Sequence, residues 1–179
     1  FEELDWIRSD NHAAGPLAAE HLLAAGYQRP CFMGALDGPQ RQFAERYEGY
    51  AEAMREAGRE PILIVPPKSP TRGEEGRRAA HLLAARPDGI DAVFAACDAM
   101  ALGALDAFAA SDLIVPRDIG VMGFDDLLAG RFSRPPLTSI GPDPAEAGAA
   151  LVEAALGAGA QKRRRVPVSL VARASTARV

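Results

Sequence analysis

The sequence contains few cysteines and histidines, which limits the metal and disulfide sites that it can form. Two cysteines, Cys31 and Cys97, occur in 179 residues, and neither lies in a Cys-x-x-Cys motif or beside histidines at a spacing that suits zinc. The three histidines are spread over predicted helices (His12, His21, His81). We therefore expect no metal, no cofactor and no disulfide-stapled secreted scaffold.

Long apolar runs and an excess of basic residues are also missing. No unbroken apolar stretch approaches the roughly 20 residues that a membrane helix needs, and no signal peptide is visible. The formal net charge is −4, which is unfavourable for DNA binding because that binding draws on clustered lysine and arginine. The sequence predicts no membrane contact, and it predicts that any contact with DNA is made by residues outside this chain. Since the chain begins with Phe1 and not with methionine, we expect native sequence upstream.

The motifs by which α/β enzymes hold nucleotides or nucleophiles are absent. No GxGxxG follows a predicted strand, and neither GxxxxGK[ST] nor GxSxG occurs. Ser9, Asp10 and His12 are close in sequence, but no nucleophile elbow presents the serine. We therefore predict no catalytic residues and no enzymatic activity, and only turnover of a ligand by the protein would revive an enzyme hypothesis.

Short apolar runs alternate with longer amphipathic segments along the whole chain. The pattern predicts strands over 4–7, 31–34, 62–65, 92–95, 119–124, 138–140 and 166–172, and helices over 11–25, 43–57, 73–86, 99–110 (capped by Asp98) and 144–156. Pro144 suits the first turn of its helix, and the basic run 162–165 is typical of a solvated loop. Strands that alternate with helices of this length form βαβ units. The predicted fold class is therefore α/β, a doubly wound parallel sheet sandwiched between helices.

Charged and small polar residues follow the predicted strands. They are Asp10 after the first strand, Arg41 and Arg46 after the second, Cys97 and Asp98 after the fourth, and Asp125 and Asp126 after the fifth. In an open parallel sheet, ligands bind at this carboxyl edge. Carboxylates accept from hydroxyls and arginine donates a rigid fork to oxygens, so the set suits a small polyhydroxy or anionic ligand. The alternative is that each acidic residue only caps the helix that follows it.

Several segments, in order along the chain, resemble the lactose-repressor (LacI/GalR) family of transcription regulators. VPRDIGVMGFDD at 115–126 resembles its VPxDIxVxGFDD segment, and RPPLTSI at 134–140 resembles the proline-rich crossover that follows. AACDAMALGAL at 95–105 is similar to its AxNDxMAxG helix start. Three further matching segments lie at 20–34, 46–58 and 170–176.

The resemblance implies a two-lobed sandwich of the periplasmic-binding-protein-like type, with one lobe largely complete here. It assigns 1–141 to the C-terminal lobe of an effector-sensing domain, 142–164 to a crossover helix of the N-terminal lobe, and 165–179 to a returning strand and tail. It implies a cytoplasmic, homodimeric repressor that binds a small polar effector, with sugars among the candidates, between its lobes. Operator DNA would be bound by a helix-turn-helix head upstream of Phe1.

The resemblance also names five ligand-binding positions. Asp10, Arg46 and Asp125 match an acidic residue near the cleft, the arginine that grips the effector and the aspartate that accepts from it. Cys97 stands where the family commonly has an asparagine, and a thiol is a weaker hydrogen-bonding group. Thr71 stands where sugar- and purine-binding members often place a stacking aromatic, so a ring-stacked ligand is disfavoured.

An exported sugar-binding protein of a transporter is the principal alternative, because it shares the two-lobed fold. Such a protein would begin with a signal peptide and would have no DNA-binding head. The segments at 115–126 and 170–176 favour the regulator.

Overall fold

The helices and strands follow one another in the predicted alternation. The computed structural model describes residues 6–38, 41–85, 89–157 and 163–178. The strands are β1 (Trp6–Ser9), β2 (Pro30–Met33), β3 (Ile62–Ile64), β4 (Ala92–Ala95), β5 (Gly120–Phe124), β6 (Thr138–Pro142), β7 (Arg163–Val166) and β8 (Val168–Val171). The helices are α1 (Asn11–Ala24), α2 (Arg41–Glu56), α3 (Arg72–Ala84), α4 (Asp98–Ala110), α5 (Leu128–Arg131) and α6 (Pro144–Leu156), and a 3-10 turn covers Ala174–Thr176.

Six strands form the main sheet in the order β3-β2-β4-β5-β6-β8. All neighbours are parallel except β8, which is antiparallel to β6. Right-handed crossovers place α2 on one face of this sheet, and α3 and α4 on the other. The predicted α/β, doubly wound fold is therefore confirmed, with one antiparallel edge strand that the sequence did not predict.

The topological switch point lies between β2 and β4. From β2 the chain continues outwards to β3, and from β4 it continues in the opposite direction to β5. β2, β4 and β5 are buried along their whole length, which agrees with the near-continuous apolar runs expected of central parallel strands. The loops after β2 and β4 diverge at this point, and ligands bind in such crevices in open α/β sheets.

A second, two-stranded parallel sheet pairs β1 with β7, in register from Trp6 opposite Arg163. The strand predicted over 166–172 was therefore wrong as one element. Pro167 has no N–H to continue a ladder, and the chain leaves one sheet before it and enters the other after it. The first strand lies at Trp6–Ser9 and not at 4–7, of which residues 4 and 5 lie outside the described residues.

The lobe boundaries at 141 and 164 stay a prediction. The predicted first segment, 1–141, contains β1, but this strand pairs with β7 and not with the main sheet. β1 lies in the small sheet with β7, and helix α6 packs against both strands. The basic run is the exposed strand β7 and not a loop, and its first residue, Lys162, lies outside the described residues. On α6 the apolar side chains of Leu151, Val152 and Leu156 are exposed.

The close packing of helix α1 against helix α2 depends on two glycines, Gly15 and Gly49. A Cβ atom added at Gly15 of α1 would lie 2.0 Å from the Tyr50 backbone nitrogen of α2, and one added at Gly49 would lie 2.2 Å from the His12 carbonyl oxygen. Neither contact can be relieved by moving a side chain, because the facing atoms are backbone. The two helices therefore approach each other only because both positions lack a side chain.

We expect Gly15→Ala to lower the free energy of unfolding by about 1–3 kcal/mol, because the added methyl group forces α1 away from α2. Gly148→Ala in α6 is the matched control, since no atom lies within 4 Å of the added Cβ. That control should raise the free energy of unfolding by about 0.5–1 kcal/mol through helix propensity. Urea denaturation measures both, and equal effects of the two substitutions would contradict the packing account.

Candidate functional site

The side chain of Arg46 is buried at the carboxyl edge of the main sheet, with 5% of its surface exposed. Its Nε and Nη2 donate to Asn11 Oδ1 at 3.1 and 2.9 Å, and Nη1 donates to the Ala96 carbonyl oxygen. Its Cζ atom lies 3.4 Å from the centroid of the Phe124 ring and 5.6 Å from that of Phe43. The guanidinium is thus fixed by the ends of β4 and β5 and by the start of α1.

Burial lowers the pKa of the Arg46 guanidinium to about 10, and the nearby Asp125 and Cys97 oppose this shift. The group therefore remains a cation at neutral pH. Its directly hydrogen-bonded partners are neutral amide and carbonyl oxygens. A buried cation of this kind lies ready to receive the oxygen atoms of a ligand.

Asn11 is a site residue that the sequence analysis missed. It is 5% exposed, and besides accepting from Arg46 it donates from Nδ2 to Glu45 Oε2 at 3.2 Å. Glu45 Oε1 in turn accepts from Arg8 Nη1 at 2.9 Å. This chain of bonds connects strand β1 of the small sheet to Arg46 at the main sheet. In the sequence, the only signal for Asn11 was its position directly after Asp10, and this position indicated a helix cap and not a ligand site.

Asp125 follows β5 directly, and its backbone has a positive φ of 120°. Its backbone nitrogen donates to the Ile140 carbonyl oxygen at 2.7 Å, which holds this unusual conformation. Its side chain keeps contact with solvent, yet surrounding protein displaces part of its water shell and raises the pKa of its carboxyl to about 6. Arg46 opposes this rise and Asp98 adds to it.

Asp98 has a different role from the helix cap that the sequence analysis expected. Cys97 occupies the cap position of α4 without a side-chain bond. Asp98 is fully buried, and its carboxylate accepts from Ser139 Oγ at 2.6 Å and from the Leu127 backbone nitrogen at 2.7 Å. A Cβ atom on Gly123 would lie 2.2 Å from Asp98 Oδ1, so that carboxylate can approach so closely only because position 123 is glycine. Asp98 fixes the turn that carries Asp125.

The other predicted site residues have local structural partners. Asp10 caps α1 by accepting from the Ala13 backbone nitrogen at 3.4 Å, and its Oδ1 lies 3.8 Å from Arg165 Nη1. Thr71 caps α3 by accepting from the Glu74 nitrogen at 3.2 Å. Cys97 is 8% exposed, and burial raises the pKa of its thiol. The structure thus brings Arg46, Cys97 and Asp125 together, whereas a ligand contact of Asp10 or Thr71 stays a prediction.

Two hollows lie along this edge. One has a volume of about 270 Å³ and is lined by Arg8, Ser9, Asn11, Arg41, Gln42, Glu45 and Arg46. The other has a volume of about 330 Å³ and is lined by Ala35, Asp37, Gly38, Lys68, Ser69, Arg72 and Glu75. The ring of Phe43 contacts an arginine of each hollow, since its centroid lies 5.6 Å from Arg46 Cζ and 5.2 Å from Arg72 Cζ. Both hollows lie at the edge where the fold predicts a ligand, and most residues that line them have polar or charged side chains.

No group of three or more potential metal ligands occurs among the described residues. Within the same ranges, no helix combines the length and the apolar character that crossing a bilayer requires.

Comparison with known proteins agrees with this fold. Residues 19–176 match the model of the periplasmic binding protein-like domain. The chain belongs to the family of periplasmic-binding-protein-like domains. Within this family it is related to LacI-type regulators, as the sequence motifs predicted.

The related proteins are transcription regulators. The HTH-type transcriptional regulator CelR of Thermobifida fusca is 35% identical over 141 residues, which cover 78% of this chain and 41% of that protein. The ribose operon repressor of Escherichia coli K12 is 36% identical, with 76% and 41% covered. A solved complex of the regulator CelR with cellobiose superposes with a TM-score of 0.80 at 31% identity, over 97% of this chain and 54% of that one. This periplasmic-binding-protein-like chain therefore spans less than half the length of the curated relatives.

The raised pKa of Asp125 predicts a pH dependence of stability. Because the folded-state pKa of about 6 lies above the ordinary value of 3.8, Asp125 contributes stability below about pH 4 and loses it as pH rises through 6. Asp125→Asn should remove this loss, so the melting temperature of the variant should rise relative to that of the parent between pH 4 and pH 7. Parallel melting profiles across this range would contradict the assignment.

Proposed function

We propose that the chain is the effector-sensing domain of a LacI-type DNA-binding transcription regulator, a repressor, and that it binds a small polyhydroxy ligand between two lobes. The observation that carries the proposal is the buried Arg46 guanidinium beside Asp125 at the switch point of the sheet. The arginine offers N–H donors to ligand oxygens, and the carboxylate accepts from ligand hydroxyls.

The small sheet supports the proposal of a second lobe. We propose that β1, β7 and α6 belong to a lobe completed by residues upstream of Phe1, against which the exposed apolar side chains of Leu151, Val152 and Leu156 pack. The relatives' greater length supports this reading, since the matched segment covers only 41% of CelR. The same upstream sequence would hold the head that binds operator DNA. The whole regulator would act as a homodimer in the cytoplasm.

The effector would act by binding one arrangement of the lobes more tightly than another. Arg46 lies in the main sheet's lobe, and its bonds run through Asn11 and Glu45 to Arg8 on β1. A ligand that engages Arg46 therefore contacts a network that spans both sheets. The difference in effector affinity between the two arrangements sets the change in DNA affinity.

Sugars are the ligand class that the relatives support, since one is named for the ribose operon and another is solved with cellobiose. In this chain Thr71 caps a helix where sugar-binding members often place an aromatic ring. We therefore propose a ligand held by hydrogen bonds to Arg46 and Asp125 and not by ring stacking.

The test uses the full-length gene product and DNA that it selects from a random pool. Ribose, cellobiose and other sugars are titrated while DNA affinity is measured by fluorescence anisotropy. An active sugar should change the Kd for DNA by about 5- to 150-fold. Asp125→Asn should retain DNA binding and lose most of the response, whereas Asp106→Asn on the exposed face of α4 should respond normally.

Two results would contradict the proposal. One is a ligand that binds at Asp125 without any change in DNA affinity. The other is a cleaved signal peptide on a product with no DNA-binding head, which would identify an exported sugar-binding protein.

A further inference from the structure

The hollow of about 270 Å³ between the end of β1 and the start of α2 is rich in arginine. Three arginines, Arg8, Arg41 and Arg46, line it, and Glu45 is its one acidic lining residue among those the structure describes. We call this hollow the arginine pocket. Its remaining lining residues are polar and uncharged (Ser9, Asn11, Gln42).

Glu45 offsets only part of the positive charge of the arginine pocket, because its carboxylate forms an ion pair with Arg8. One oxygen accepts from Arg8 Nη1 at 2.9 Å and the other from Asn11 Nδ2 at 3.2 Å. Arg46 is hydrogen-bonded only to neutral oxygens within the described part of the chain. Two positive charges, on Arg41 and Arg46, therefore lack a directly bonded carboxylate there.

Within the described ranges, no hydrogen bond or ion pair gives Arg41 a structural role. It is exposed in the first turn of α2, and the described ranges contain no ion-pair partner for it. A cation at the start of a helix is opposed by the helix dipole, which favours anions at that end. Its position therefore weakens the helix slightly and strengthens the positive potential of the arginine pocket.

We propose that the arginine pocket binds an oxyanion of the effector, so that the effector is an acidic polyhydroxy compound such as a sugar acid or a sugar phosphate. This inference rests on the proposed function and narrows its ligand class. Arginine forks match carboxylate and phosphate oxygens in geometry and charge. A neutral hydroxyl would bring no negative charge to Arg41 and Arg46. The hydroxyl groups of the same molecule would bind Asp125, which lies near Arg46.

The first arm of the test uses simple anions and needs no knowledge of the effector. The melting temperature of the intact gene product is measured in sodium phosphate, sodium acetate and sodium chloride at equal ionic strength. Phosphate or acetate should raise it above the chloride value. Arg41→Gln should remove most of this rise. Arg55→Gln, at an exposed arginine in the last turn of the same helix, should retain it.

The second arm measures calorimetric affinities for matched pairs: glucose with glucuronate and glucose 6-phosphate, galactose with galacturonate, and ribose with ribose 5-phosphate. At least one acidic member should bind roughly tenfold more tightly than its neutral partner, a factor that Arg41→Gln should abolish. The carboxylate and phosphate members show which oxyanion the pocket takes.

The outcomes separate this inference from the proposed function. If no anion raises the melting temperature, or if neutral sugars bind at least as tightly as their acids, the oxyanion site is wrong while effector sensing stands. If an acid binds in an Arg41-dependent way without changing DNA affinity, the oxyanion site stands and the regulatory function is wrong.

Discussion

The burial of the Arg46 guanidinium is the constraint on which the site depends. Removing a cation from water is costly unless its donors are satisfied, and here Asn11, the Ala96 carbonyl oxygen and the face of Phe124 provide the compensation. Each of these groups lies at the end of a different element: the start of α1, the end of β4 and the end of β5. One side chain therefore fixes the relative positions of three chain segments that are far apart in sequence. A ligand that binds there meets a rigid, preorganised cation.

Two acidic residues near Arg46, Asp98 and Asp125, have different roles because their surroundings differ. Asp98 is fully buried and bonded to Ser139 and a backbone nitrogen, so it fixes the turn after β5. Asp125, carried by that turn, keeps access to solvent and has a raised pKa of about 6. The close approach of Asp98 to Gly123 is possible only without a Cβ atom. The motif GFDD thus combines a glycine that admits a buried carboxylate with an aspartate that remains available.

Much of the fold follows from local sequence patterns. The strand at 92–95 and the helix at 144–156 were predicted with the observed bounds, because a short apolar run delimits the strand and Pro144 marks the start of the helix. The small sheet was not predicted. Its strand β7 consists mainly of exposed arginines and pairs with β1, more than 150 residues earlier in the chain. Arg46 and Asp125 were found because they follow strands. The roles of Asn11 and Asp98 depend on burial and on distant partners, which no local pattern reports.

The central claim, that Asn11 supports the buried charge of Arg46, is tested most directly by a double-mutant cycle. The free energy of unfolding is measured for the parent, Asn11→Ala, Arg46→Met and the double variant. The account predicts a coupling energy of about 2–3 kcal/mol, because Asn11→Ala leaves a buried guanidinium without its acceptor only while Arg46 is present. Additive effects, within about 0.5 kcal/mol, would show that the two side chains contribute independently and would contradict the account.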